Sequence, residues 1–246
     1  MRKSDQPRPP LRDIITAEKR SSRRSGTALA PIDTIQGCGL IPVKRGWGGA
    51  RNSALRPRPH LTLKQCEGMM AAADHAGRIG LRFNRHWSVH YQRAGIAEAD
   101  ATRFIGHLLK LAREYARRHG GGFAAVWSRE NGDDKGGHVH ILMHLPADLR
   151  LIGRTRKWVG LAGGACVGGV SVVRSVGGRL LAADNGGEHY AVNVAIVREY
   201  LLKGAAGEVR AALGLERFPG EQGEVIGKRC GWSQNIGQAA RDREQS

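Results

Sequence analysis

Residues 135–146, KGGHVHILMHLP, read as a buried strand that carries His138 and His140 one residue apart. Side chains alternate between the two faces of a strand, so both imidazoles share one face while Val139, Ile141 and Met143 take the other. Two adjacent imidazoles supply half of a metal site, or else they are merely hydrogen-bonded polar residues, and the preceding residues bear on the choice. Residues 123–129, FAAVWSR, are rich in aromatic and β-branched residues, and the NGDDKGG run after Glu130 is turn chemistry. The pattern predicts a β-hairpin. With Glu130 and His138 as the paired residues flanking a seven-residue loop, the two sit opposite each other on one face, their Cβ atoms about 5 Å apart. Ser128 then opposes His140. A register slip of two residues keeps Glu130 on the histidine face, and only an odd slip or a bulge removes it. The expected ligand set is therefore Glu130, His138 and His140.

His144 shares the parity of these histidines. It lies four residues beyond His140, about 13 Å along a regular strand, too far to share one ion with ligands at roughly 2.1 Å. It is left out of the set.

Upstream, RHWSVHYQ (residues 85–92) alternates Trp87, Val89 and Tyr91 with His86, Ser88 and His90, the pattern of a half-buried strand. His86 and His90 line the site if this strand lies beside the hairpin; otherwise they are ordinary polar-face residues. Thr62 and Gln65 make a capping-box start for a short helix over LKQCEGMMAAADHA. Residues 98–118 give the clearest helix, with Phe104, Ile105, Leu108, Leu111, Ala112 and Tyr115 at helical spacing and Gly120–Gly122 stopping it. Helix, strand, long helix, strand, strand predicts an α+β fold: a largely antiparallel central sheet with helices packed on it. The long helix should cover one face and leave the other to the histidines.

After Pro146, GRTRKWVGLAG reads as a short basic helix, VSVVRSV as a strand, and AVNVAIVREYLLKGA as a helix closed by Gly204. On that last helix Asn193, Ile196, Tyr200 and Lys203 recur at three- and four-residue steps, so Tyr200 and Lys203 project from one side. A tyrosine beside a cation is a candidate nucleophile; a core-packed tyrosine with a solvated lysine is the alternative.

Composition sets the outer bounds. In 246 residues, 39 Lys or Arg stand against 22 Asp or Glu, for a formal charge of +17, which favours a polyanionic partner, most simply nucleic acid. Residues 1–60 hold 13 basic and 4 acidic residues, +9 of that total, and are dominated by Pro, Ser, Gly and Arg. They are expected to form a disordered basic arm, followed by a folded domain over 61–210, which the resemblance described below makes the catalytic one, and a basic C-terminal segment over 211–246 without assigned role. No amphipathic helix combines basic residues with exposed large apolars, no run of 18 apolar residues suggests a membrane span, and no apolar segment of a signal peptide follows the charged start. Cys38, Cys66, Cys166 and Cys230 lack a CxxC pair and are expected as reduced thiols of a cytoplasmic protein.

An apolar strand, a carboxylate eight residues before HVH, and a helical Tyr-x-x-Lys about 60 residues later together resemble the HUH endonuclease superfamily, most closely its single-tyrosine rolling-circle replication initiators. The likeness covers roughly residues 83–204. It implies a ferredoxin-like split βαβ sheet, a divalent ion on His138, His140 and Glu130, and attack by Tyr200 on a phosphodiester of single-stranded DNA or a DNA hairpin. Lys203 would stabilise the phenolate or the phosphate, and the products would be a 5′-phosphotyrosine and a free 3′-hydroxyl. The mixed ligand set suits manganese or magnesium under cellular supply, although zinc would also bind it well. HWSVHYQ stands where that family has a more apolar first motif. No Walker motif is present, so unwinding would fall to a partner such as a host helicase. The alternatives are a single-tyrosine transposase or relaxase, although relaxases place the tyrosine ahead of the histidines, and a non-catalytic nucleic-acid-binding module. A structural zinc site would want a fourth ligand that no second His/Cys pair supplies.

Overall fold

The predicted hairpin lies at the centre of a five-stranded antiparallel sheet. A computed structural model describes residues 55–132, 135–176, 187–215, 217–218 and 222–244. In chain order these form β1 (Pro57–Arg58), α1 (Leu63–Arg78), β2 (Arg85–Val89), α2 (Ala101–Arg118), β3 (Ala124–Gly132), β4 (Gly136–His144), α3 (Arg154–Leu161) and β5 (Ser171–Ser175). They are followed by α4 (Glu188–Leu202), α5 (Gly207–Ala212), β6 (Val225–Ile226), β7 (Cys230–Trp232) and α6 (Gln238–Glu244). The sheet order is β5-β2-β4-β3-β7, every neighbouring pair is antiparallel, and β1 pairs separately with β6.

Alternation divides the sheet into two chemically distinct faces. Trp87, Val89, Trp127, Val139, Ile141 and Met143 point to one face and meet Phe104, Ile105, Leu108 and Ala112 of α2 together with Trp158 and Val159 of α3. Each large side chain buried there contributes roughly 1.5–3 kcal/mol. The α2 stripe is the one its spacing predicts, and a single 3₁₀ turn at Glu98–Asp100 leads into it. On the opposite face Ala124, Val126 and Leu142 pack against Cys66, Met69 and Ala73 of α1 and Leu201 and Leu202 of α4. That face is thus covered at one end by two helices rather than left open, and α4 brings Tyr200 and Lys203 over the histidines. The α1 start is the expected capping box: the Gln65 backbone N–H donates to Thr62 Oγ1 at 3.4 Å, and the Thr62 N–H donates to Gln65 Oε1 at 2.9 Å.

Two segments outside 61–210 belong to the folded body. Pro57 and Arg58 pair with Ile226 and Val225, and β7 adds an edge strand beside β3 with Val126 opposite Trp232 and Ser128 opposite Cys230. Of the expected basic arm, residues 1–54 lie outside the described residues. The fully buried Arg229 guanidinium fastens the two ends of the described chain, donating to the carbonyls of Arg58, Pro59 and Gly223 at 2.8 Å each. Arg129, also fully buried, pairs with Glu98 and donates to the carbonyls of Ile226 and Lys228 at 2.9 and 3.1 Å. Cys66, Cys166 and Cys230 carry free thiols; burial raises that of Cys66 to about 12 and that of Cys230 to about 11, which makes both poor nucleophiles. Cys38 lies outside the described residues. No helix among the described residues is long and apolar enough to cross a membrane.

Candidate metal centre

The β3–β4 register sets Glu130 opposite His138 and Ser128 opposite His140, as expected, but the pairing does not stop there: it continues through Asn131–Gly137 to Gly132–Gly136, so the connection is shorter than the expected seven-residue loop. All three expected ligands are buried, and their donor atoms lie within 4.8 Å of one another, forming a group able to hold a metal ion. Glu130 Oε2 is the focus: His138 Nε2 lies 3.0 Å from it, His140 Nε2 3.6 Å and Lys203 Nζ 2.9 Å. The other carboxylate oxygen, Oε1, is buried with no hydrogen-bond partner among the described residues. A buried carboxylate oxygen in that state is costly unless a cation or water satisfies it.

The tautomers fit the same conclusion. His138 Nδ1 lies 2.8 Å from the Gly136 carbonyl and donates to it, so a neutral His138 turns the lone pair of Nε2 towards Glu130 Oε2. Two lone pairs facing at 3.0 Å repel unless a proton or a metal lies between them. His140 Nδ1 lies 2.9 Å from Ser88 Oγ and 3.3 Å from His86 Nε2, which leaves Nε2 for the ligand position. Burial alone would push the Glu130 carboxyl up, but with no metal bound a proton on His138 or His140 Nε2, shared with the carboxylate, and the Lys203 ammonium outweigh it and hold it well below the usual carboxylate range. Burial lowers the pKa of His140 and, with the charge of His140 added, pushes His86 down to about 3. Both imidazoles are therefore neutral near pH 7, the form that ligates metal.

Strand β2 pairs with β4, placing Ser88 opposite His140, so His86 and His90 do border the site. The His90 ring stacks on His138 with centroids 5.0 Å apart, and the His86 ring lies 5.3 Å from His140. His144 stands apart from the group, its Nδ1 donating to the Arg82 carbonyl at 2.7 Å.

Tyr200 on α4 and Lys203 at its C-cap lie on the same side. The Tyr200 hydroxyl lies 3.4 Å from His140 Nε2, and the ring is flanked edge-on by Phe218 at 5.1 Å. The buried Lys203 ammonium sits 3.6 Å from the centroid of the Tyr200 ring while it pairs with Glu130. The carboxylate is a partner the sequence reading did not give it. Tyr200 and the histidines open into a cleft of about 570 Å³ that carries Arg93, Lys135 and Arg174 at its rim and Val172, Ile196 and Val197 on its walls. Ser88 went unnoticed as a supporting residue, although its place between His86 and His90 in an alternating strand is the signal that finds it.

The arrangement pairs a buried ligand group with a phenol at its edge, inside a cleft whose charged rim residues are all cations. Comparison with known protein families, with curated proteins and with solved structures gives no match for this chain.

Proposed function

We propose that this chain is a metal-dependent endonuclease of the HUH type that nicks and rejoins single-stranded DNA through a phosphotyrosine intermediate, as rolling-circle replication initiators do. The observation that carries the reading is the Tyr200 hydroxyl 3.4 Å from His140 Nε2, at the mouth of the Glu130, His138 and His140 group. The strand order supports it: β4 lies between β2 and β3, and β5 lies outside β2, the order of a ferredoxin-like split βαβ sheet. The order of the motifs also favours an initiator over a relaxase, since Tyr200 follows the histidines.

Glu130, His138 and His140 would hold the ion, manganese or magnesium under cellular supply. When bound, it supplies Lewis-acid polarisation of the scissile phosphate. Arg93, Lys135 and Arg174 draw the strand's backbone into the cleft. The Tyr200 oxygen attacks phosphorus as the bond to the 3′ oxygen breaks, and the phenolic proton passes in net terms to that 3′ oxygen. The strand ends as a 5′-phosphotyrosine and a 3′-hydroxyl that a polymerase can extend. A free phenol has a pKa near 10, so the reaction depends on nearby positive charge; Lys203, held by Glu130 against the ring, provides it. The reading places the protein in the cytoplasm, with a single strand or a hairpin as substrate and a host helicase as the source of unwinding.

The test incubates the protein with manganese and single-stranded oligonucleotides, including one that carries the cognate origin, and seeks a covalent adduct on a denaturing gel. Wild type should form it, chelator should prevent it, and Tyr200→Phe should lose it while binding DNA as before. An adduct formed by Tyr200→Phe removes the tyrosine assignment. DNA binding without any adduct from any oligonucleotide leaves a non-catalytic binding module.

A further inference from the structure

Arg174 belongs to two clefts at once. It lies on the rim of the catalytic cleft, and it also lines a second cleft of about 620 Å³ along the β5 edge of the sheet. This second cleft is bounded by β5, by Arg85 of β2, by residues 147–153 and by the first turn of α3. Its charged lining is Arg85, Arg150, Arg156 and Arg174 against Asp148 alone. Arg85 is part of the wall, buried and donating to the Ala147 carbonyl at 3.4 Å, whereas Arg150, Arg156 and Arg174 are exposed.

The wall is built rather than loose. The buried Leu149 donates its N–H to the Pro146 carbonyl at 3.1 Å, Arg154 donates to the Leu151 carbonyl at 3.0 Å, and the Tyr115 hydroxyl donates to the Arg150 carbonyl at 3.2 Å. Between the arginines Ile152 is 92 % exposed, beside Leu151 and Val173. Cations alternating with apolar surface suit a strand that offers phosphates and bare base faces together.

We propose that this cleft binds the phosphodiester backbone of the same single strand that enters the catalytic cleft, with the strand crossing the β5 edge at Arg174. The identity of the strand as DNA substrate rests on the endonuclease reading, but binding in this cleft requires neither metal nor cleavage.

The test is fluorescence anisotropy on the full chain, without metal, across a salt series, with labelled oligothymidylates of about 5 and about 20 nucleotides. The probe variant is Arg150→Gln/Arg156→Gln, which spares Arg174. Two lost phosphate contacts should lower the salt slope for the long oligonucleotide by about 1.4, a loss of about 25-fold in affinity at 0.1 M salt. Binding of the short oligonucleotide and the thermal midpoint should not change, and Arg150→Lys/Arg156→Lys should restore the long-strand affinity. The basic residues 1–60 act equally in wild type and variants. Unchanged affinity and slope for the long strand overturn the proposal, as does an equal loss on both lengths. A loss confined to a duplex of the same length overturns the single-strand assignment. The two readings fail separately: an expected anisotropy result without any covalent adduct sinks the nuclease and leaves the cleft, and an adduct with an unaffected length series does the reverse.

Discussion

Replacing Ser88 by alanine should weaken metal binding without touching a ligand. Ser88 Oγ lies 2.9 Å from His140 Nδ1, on the far side of the ring from the Nε2 that faces Glu130. A hydroxyl that takes the Nδ1 proton fixes the ring orientation and the tautomer that frees Nε2. Losing such a partner lowers affinity by about 10–100-fold, or about 1.4–2.7 kcal/mol. In this site a substitute stands ready, because His86 Nε2 lies 3.3 Å from the same Nδ1, and His86 is neutral with its pKa pushed down to about 3. Ser88→Ala alone should therefore fall at the lower end, about tenfold weaker for manganese, and Ser88→Ala/His86→Phe should approach 100-fold. Ser88→Thr keeps the hydroxyl and should bind as wild type does. Isothermal titration of metal-free protein with manganese chloride measures all four, with thermal melts to show that each is folded. Wild-type affinity in the double variant would refute the reasoning, because His140 would then not be ligating through Nε2.

Lys203→Met removes the ammonium from a buried carboxylate and should cost about 3 kcal/mol in metal-free urea melts, the low end for a broken buried pair because two imidazoles remain. Manganese should then stabilise this variant more than wild type, and an equal increment in both would contradict the placement. Stability of the metal-free protein should fall as pH drops from about 6.5 to 4: His86, His90 and His140 have lowered pKa values in the folded state, so unfolded histidines take up protons that the folded ones refuse. His86→Phe should flatten that slope by about 1.4 kcal/mol per pH unit, and a slope unaltered in denaturant melts would show that His86 titrates normally. Gly137→Ala should lower stability by about 1–3 kcal/mol, because a Cβ there would stand 2.4 Å from the buried Tyr91 ring. Calorimetry giving a wild-type midpoint would mean that the ring yields freely.

The parts of this fold legible in the sequence are those that local rules decide. Alternation and turn residues give the Glu130–His138 pairing, helical spacing gives α2, and Thr62 with Gln65 gives the start of α1. Long-range pairing escaped those rules. Nothing in three residues of CGW announces an edge strand, so β7 became visible only as the partner of Val126 and Ser128. Arginine is seldom fully buried, so no local rule singles out Arg129 or Arg229, and only the assembled chain shows the carbonyls that each one satisfies. The roles of His86 and His90 turned on whether β2 neighbours β4, a question of topology rather than of their own positions. Lys203 was placed correctly beside Tyr200 by helical spacing, yet its bond to Glu130 depends on how α4 lies across the sheet.

The clasp at Arg229 also sets when the protein is finished during its synthesis. A nascent chain that has left the ribosome only through α4 already contains Glu130, His138, His140 and Tyr200, but its β3 edge is bare and nothing yet holds the carbonyls of Arg58 and Pro59. The contacts that close the domain span about 170 residues of chain, so they form late, after the local hairpin and helices. A ribosome stalled before residue 229 would display Glu130, His138, His140 and Tyr200 on an unclosed sheet, and the arrival of Arg229 and β7 is the event that locks it.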